Sequence, residues 1–209
     1  MKKILVIIPT NDVAEQGCLD AVHAQDYPNY TVMVNVEKRP TPRLQCQKSL
    51  YQIINLNAAR TTALASDADL FMLLDSDVAL PTYALSHLAA QLETPGTEII
   101  GGWYKMVMVD LWVAGRFDGN KNFRYFPAAL HGTVKVDMIG LGCLMMTRNV
   151  LSAIKFGAGF STPIQVKGKT TYAGPGIQFA LDATAKGFGL FMDGGVIATH
   201  LARKKSVFP

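Results

Sequence analysis

A chain of 209 residues can bury one sizeable core, and none of its apolar runs approaches the roughly 18 residues that cross a bilayer. A 49% hydrophobic, 17% charged composition excludes a disordered or low-complexity chain. Three scattered cysteines, Cys18, Cys46 and Cys143, exclude a disulfide framework and suit a reducing, cytoplasmic setting, while a net charge of +4 permits an anionic ligand without requiring one.

The apolar run Ile4 to Ile8 predicts a first core strand that stops at Pro9, with Thr10-Asn11-Asp12 capping a helix through about Ala24. Tyr30 to Val36 is a β-branched strand, and the prolines of Lys38 to Gln47 make a loop. Ser49 to Ala65 is a helix with Leu50, Ile53, Ile54, Leu56 and Leu64 as its apolar stripe. Leu70 to Leu74 is a strand, Thr82 to Leu92 a helix, and Glu98-Ile99-Ile100 a strand ended by Gly101-Gly102. Such alternation implies an α/β fold, a mostly parallel sheet with helices on both faces. Residues 105–137 read as antiparallel hairpins, and Val136 to Thr147 as a strand around Gly140-Leu141-Gly142. Residues 157–174, rich in glycine, read as a flexible loop; a helix from Ile177 to Lys186 ends at Gly187. Strands near Leu190-Met192 and Val196-Thr199 lead to His200.

Asp75-Ser76-Asp77 closes the strand of five apolar residues. Two acids at the end of a buried strand are costly unless a counter-charge meets them. A hard divalent cation, Mn2+ or Mg2+, bridging a diphosphate is such a counter-charge. The plainer alternative is a turn built from residues that favour turns.

Five segments appear in an order that resembles the GT-A-type nucleotide-sugar glycosyltransferases, in particular their family-2-like branch. They are Ile7-Ile8-Pro9-Thr10, Gln25 to Tyr30, Asn57-Ala58-Ala59-Arg60, Phe71 to Asp77 and Ile139 to Arg148. The resemblance covers nearly the whole chain and implies a single domain over 1–209, with a nucleotide-sugar half (1–104) and an antiparallel acceptor-side half (105–209). It implies donor contacts from Pro9, Thr10, Asn11, Glu37, Arg60, Asp75, Ser76, Lys204 and Lys205. It also implies a metal held by Asp75, Asp77 and His200. Trp103 and Tyr104 are candidates for an acceptor platform, with core packing as the alternative, and Gly140-Leu141-Gly142 lies beneath the acceptor.

One departure stands out. Inverting members carry a Glu-Asp pair before the late helix, whereas this chain has Pro175-Gly176-Ile177-Gln178-Phe179. Three options stay open: a retaining enzyme with Gln178 facing the anomeric carbon, a base relocated to Asp182 or Asp137, or donor binding without efficient transfer. The resemblance implies a UDP- or GDP-hexose donor and a hydroxyl acceptor. A saccharide or small molecule is favoured as acceptor, with a hydroxylated base in DNA as a further option. A nucleotidyltransferase would favour a Gly-rich basic loop after the first strand, and Pro9-Thr10-Asn11-Asp12 is not one.

Overall fold

The computed structural model describes residues 1–10, 13–36, 45–106, 111–118, 122–157, 162–166 and 168–201. The first strand, β1 (Ile4–Thr10), buries all five of its leading apolar residues. It continues through Pro9, because pairing to its neighbour on one side ends at Ile7 and Pro9 runs against a single partner. Helix α1 (Gln16–His23) starts later than the Thr10–Asp12 cap implied. No side chain caps it; the Glu15 N–H donates instead to the Ser76 carbonyl at 2.8 Å, so a tertiary contact sets its start. Strand β2 (Tyr30–Val36) falls where expected. Helix α2 (Gln45–Ala65) begins four residues before Ser49, and buries Ile53, Leu56, Ala59 and Ala63, while Leu50 is exposed.

Strand β3 (Leu70–Leu74) is wholly buried, and β4 (Val78–Ala79) and α3 (Ala84–Gln91) follow it. Strand β5 (Ile99–Trp103) runs straight through the two glycines expected to end it. A Cβ on Gly101 would lie 2.7 Å from Ile139 Cδ1, and one on Gly102 2.7 Å from both Cys143 Sγ and Val196 Cγ1. These glycines mark crowding between strands rather than a stop.

The expected hairpins are β6 (Lys105–Met106) with β7 (Leu111–Trp112), and β8 (Gly115–Phe117) with β9 (Asn122–Tyr125). Strand β10 (Thr133–Val136) leaves that region to pair with the main sheet. Strand β11 (Cys143–Thr147) begins only after Gly142, and an unforeseen short helix, α4 (Arg148–Ala153), follows it. The stretch read as a flexible loop holds an antiparallel hairpin, β12 (Pro163–Val166) with β13 (Lys169–Tyr172). Helix α5 (Pro175–Ala185) opens on its proline and ends before Gly187, whose φ of 86° suits the left-handed exit. Strand β14 (Leu190–Ile197) is one element with a register shift after Asp193, and β15 (Thr199–His200) pairs with β4.

Among the described residues, seven strands form the main sheet in the order β10-β14-β5-β11-β3-β1-β2. Five point one way; β10 and β11 run against their neighbours. A four-stranded sheet, β13-β12-β9-β8, stands beside it. The α/β expectation of a largely parallel sheet with a smaller antiparallel part holds.

Candidate functional site

The end of β3 delivers Asp75 where the chain leaves the main sheet, and the Asp-Ser-Asp turn is held by its own backbone. The Val78 N–H donates to Asp75 O at 3.0 Å, and Leu201 N–H donates to Asp77 O at 2.6 Å. With Glu15 on Ser76 O, all three carbonyls are engaged, so the carboxylates are presented from a fixed loop.

The β4–β15 pairing sets His200 beside Val78, one residue from Asp77. Its Nδ1 lies 3.0 Å from the Lys105 carbonyl, which only accepts, so Nδ1–H is the donor. That leaves Nε2 facing Asp77 Oδ2 at 3.2 Å. In the neutral ring both atoms carry lone pairs, and two such acceptors face each other stably only across a cation or a proton. A backbone carbonyl fixing the far ring nitrogen is the usual outer support of a metal-binding histidine.

Tyr104 stacks its ring edge against His200, with centroids 5.8 Å apart. Its buried hydroxyl accepts the Gly142 N–H at 3.1 Å. Burial, and then the Asp75 charge, push this phenol well above its ordinary 10, so it stays protonated. Gly142 also accepts from the Asp75 N–H at 3.0 Å. A Cβ on Gly142 would sit 2.5 Å from the Asp75 carboxyl carbon, so only glycine admits the carboxylate there.

Asp75, Tyr104 and His200 stand at one end of a cavity of about 430 Å³, which Gly140, Leu141 and the first turn of α5 also line. The structure therefore gathers Asp75, Asp77, Tyr104, Gly140, Leu141, Gly142 and His200. Ser76 lies in the same turn; Pro9 and Thr10 end β1, with Thr10 buried.

Other expectations give way. Trp103 is fully buried, edge-on to Trp112 at 6.1 Å and Phe126 at 5.6 Å, so it is core and no acceptor platform. Arg60 spends its guanidinium on the carbonyls of Leu151, Ser152 and Ile154 at 2.7–2.8 Å, capping the end of α4 rather than reaching toward a donor. Gln178 accepts from Thr162 Oγ1 at 2.6 Å and donates to Asp182 Oδ1 at 2.8 Å. Asp137 accepts the Phe117 N–H at 2.9 Å and pins β8. Neither base candidate, Asp182 or Asp137, lines the cavity, nor does Gln178; among its described lining residues Asp75 is the one acid. Asn11, Glu37, Lys204 and Lys205 lie outside the described residues.

Sequence reasoning missed Gln52, Tyr125, Thr171 and Tyr172 on the cavity wall. The signal for some was a period of two: Phe123 with Tyr125, and Ile164 with Val166. Among the described residues, no group of three or more His, Cys, Asp or Glu gathers as a self-sufficient metal cage.

No protein family matches the sequence, and no curated protein does. Solved structures match in three dimensions, A197 and GalNAc-T7 among them. A197 from STIV, a viral protein, aligns with a TM-score of 0.61 over 96% of this chain and 86% of its own, at 18% identity. GalNAc-T7, solved with UDP, GalNAc and Mn2+, aligns with a TM-score of 0.63 over 98% of this chain, at 10% identity. The fold is GT-A-like. This chain spans 44% of the length of GalNAc-T7. Among the described residues, no helix is long and apolar enough to cross a membrane.

Proposed function

We propose that this protein is a metal-dependent glycosyltransferase that moves a hexose from a UDP- or GDP-sugar to a hydroxyl acceptor. The observation that carries the reading is the Asp77–His200 pair, 3.2 Å apart and locked by the Lys105 carbonyl, beside Asp75 at the mouth of a cavity. Asp77 and His200 fit a divalent cation, Mn2+ or Mg2+: a carboxylate oxygen and an imidazole lone pair converge, and their spacing is that of neighbouring donors on a six-coordinate ion. Two protein ligands suffice for an ion that takes the rest of its shell from substrate phosphates and water. When bound, such an ion supplies Lewis-acid charge against the oxygen that leaves with the nucleotide.

The chain's own residues do the remaining work. Asp77 and His200 hold the charge in place, and the closed backbone of the Asp-Ser-Asp turn keeps Asp75 from swinging away. The buried Tyr104 ring shields one side of His200 from water and fixes its plane. GalNAc-T7 was solved with a UDP, a sugar and Mn2+ together, which supports a nucleotide-sugar donor for the shared fold.

A second reading, a nucleotide-sugar-binding module that does not transfer, draws on the placement of Gln178, Asp182 and Asp137 away from the cavity wall. Nucleotide release from a panel of UDP- and GDP-sugars, with and without manganese, separates the two. The transferase reading expects release of one nucleotide only with metal, abolished in Asp77→Ala. Donor binding with no release under any acceptor would favour the module; release that survives Asp77→Ala would remove the metal from this place.

A further inference from the structure

Away from Asp75, the cavity is walled by the smaller sheet. Phe123 and Tyr125 on β9, and Ile164 and Val166 on β12, each lie two residues apart and so present one face. Leu141 and Ile177 add further apolar lining. A second hollow of about 520 Å³ shares Phe123, Tyr125 and Val166 and continues the same surface outward.

The chemistry of this wall selects its guest. A saccharide carries a hydroxyl on nearly every carbon, and each hydroxyl taken from water needs a new partner or costs free energy. Ring faces and methyl groups supply none, and the polar side chains of Gln52, Tyr125, Thr171 and Tyr172 are the minority of the lining. The rings and methyl groups reward a body made of carbon, in a volume of the size that holds one small molecule.

On the transferase reading above, we propose that the acceptor is a small alcohol or phenol with an apolar body. Its body rests against β9 and β12, and its hydroxyl reaches the end where Asp75 and His200 stand. Transfer forms one bond, from the acceptor oxygen to the anomeric carbon, and breaks one, from that carbon to the diphosphate oxygen. The hydroxyl proton leaves with the departing nucleotide diphosphate or passes to water.

The test reads binding, so it does not depend on turnover. Naphthol, phenylethanol and octanol are titrated into the protein alone and again with UDP and Mn2+, alongside maltose and N-acetylglucosamine. The expected result is that the apolar alcohols bind at least about 10-fold more tightly than the sugars. Val166→Asn and Ile177→Asn, both at half-buried positions, should each weaken that binding by about 10-fold while melting stays near that of the parent. Sugars binding in preference, no binding of any apolar alcohol, or equal binding to both folded variants would overturn the proposal. Failure of the donor panel above, with apolar alcohols still bound, would remove the transferase reading and leave this cavity's preference standing.

Discussion

Gly142→Ala probes the site with a single methyl group. The added Cβ would lie 2.5 Å from the Asp75 carboxyl carbon and 2.7 Å from Tyr104 Oη, where ordinary contact begins at 3.4 Å. Asp75 Oδ2 lies closer still, so the carboxyl must retreat by more than about 1 Å, or the backbone of the Gly142 turn must give by as much. Neither is easy: the Asp75 main chain is tied to Gly142 O, and Tyr104 is buried against His200. Overpacking of this kind costs about 1–3 kcal/mol. In a domain of this size that lowers the melting temperature by roughly 2–12 °C. A shift near 1 Å in a group that positions substrate costs on the order of 100-fold in turnover. Thermal melting and metal-dependent nucleotide release, measured on the same preparation, check both numbers. A variant that melts like the parent and releases nucleotide at the parent rate would refute the packing of Gly142 on Asp75.

Three further outcomes follow from contacts away from that glycine. Arg148 donates to the carbonyls of Leu64, Ser66 and Ala68 and lies over the Phe71 ring at 5.2 Å, tying α4 to the turn between α2 and β3. Arg148→Ala should cost about 2–4 kcal/mol in urea melts, and Arg148→Lys should recover only part, since an ammonium cannot span three carbonyls. Asp193 is buried with its Oδ2 3.2 Å from His87 Nε2, so His87→Ala should cost about 1–3 kcal/mol, and the double variant with Asp193→Asn less than the sum. Burial pushes the Cys143 thiol from 9.0 up to about 12. The folded state thus favours the protonated form: stability from this group is intact below about pH 9 and is lost as pH rises from there toward 12. The slope is up to about 1.4 kcal/mol per pH unit, which Cys143→Ala should remove from urea melts in that range.

The parts of the fold legible in the sequence are those where one physical signal acts alone. Five apolar residues ending in two acids can be little else than a buried strand delivering charge to its end, and β3 with Asp75 and Asp77 is that. Glycine closing α5 obeys a local backbone rule and the structure follows it, whereas the helix opens on Pro175, two residues before the expected start at Ile177. Where local and tertiary signals conflict, tertiary packing wins. Gly101 and Gly102 look like a terminator, yet they are small because β11 and β14 crowd them. Strand β13 exposes Lys169, Thr170, Thr171 and Tyr172, so it carries no apolar alternation to find, and its hairpin read as loop. Trp103 and Arg60 show the same limit for the site: an aromatic or a cation beside a motif says nothing of whether its partner is a ligand, a ring or a row of carbonyls. His200 was legible as a candidate, but the Lys105 carbonyl that turns its ring is a main-chain atom and leaves no trace in composition.

The short β4–β15 ladder separates two properties that usually fail together. Every strand of the seven-stranded sheet is complete by Ile197, whereas the imidazole that faces Asp77 arrives only with Thr199 and His200. A chain that stops before Thr199 therefore has every strand of that sheet yet lacks half of the Asp77–His200 pair. Loss of Thr199 and His200 would remove one half of the Asp77–His200 pair and leave all seven strands of the main sheet in place.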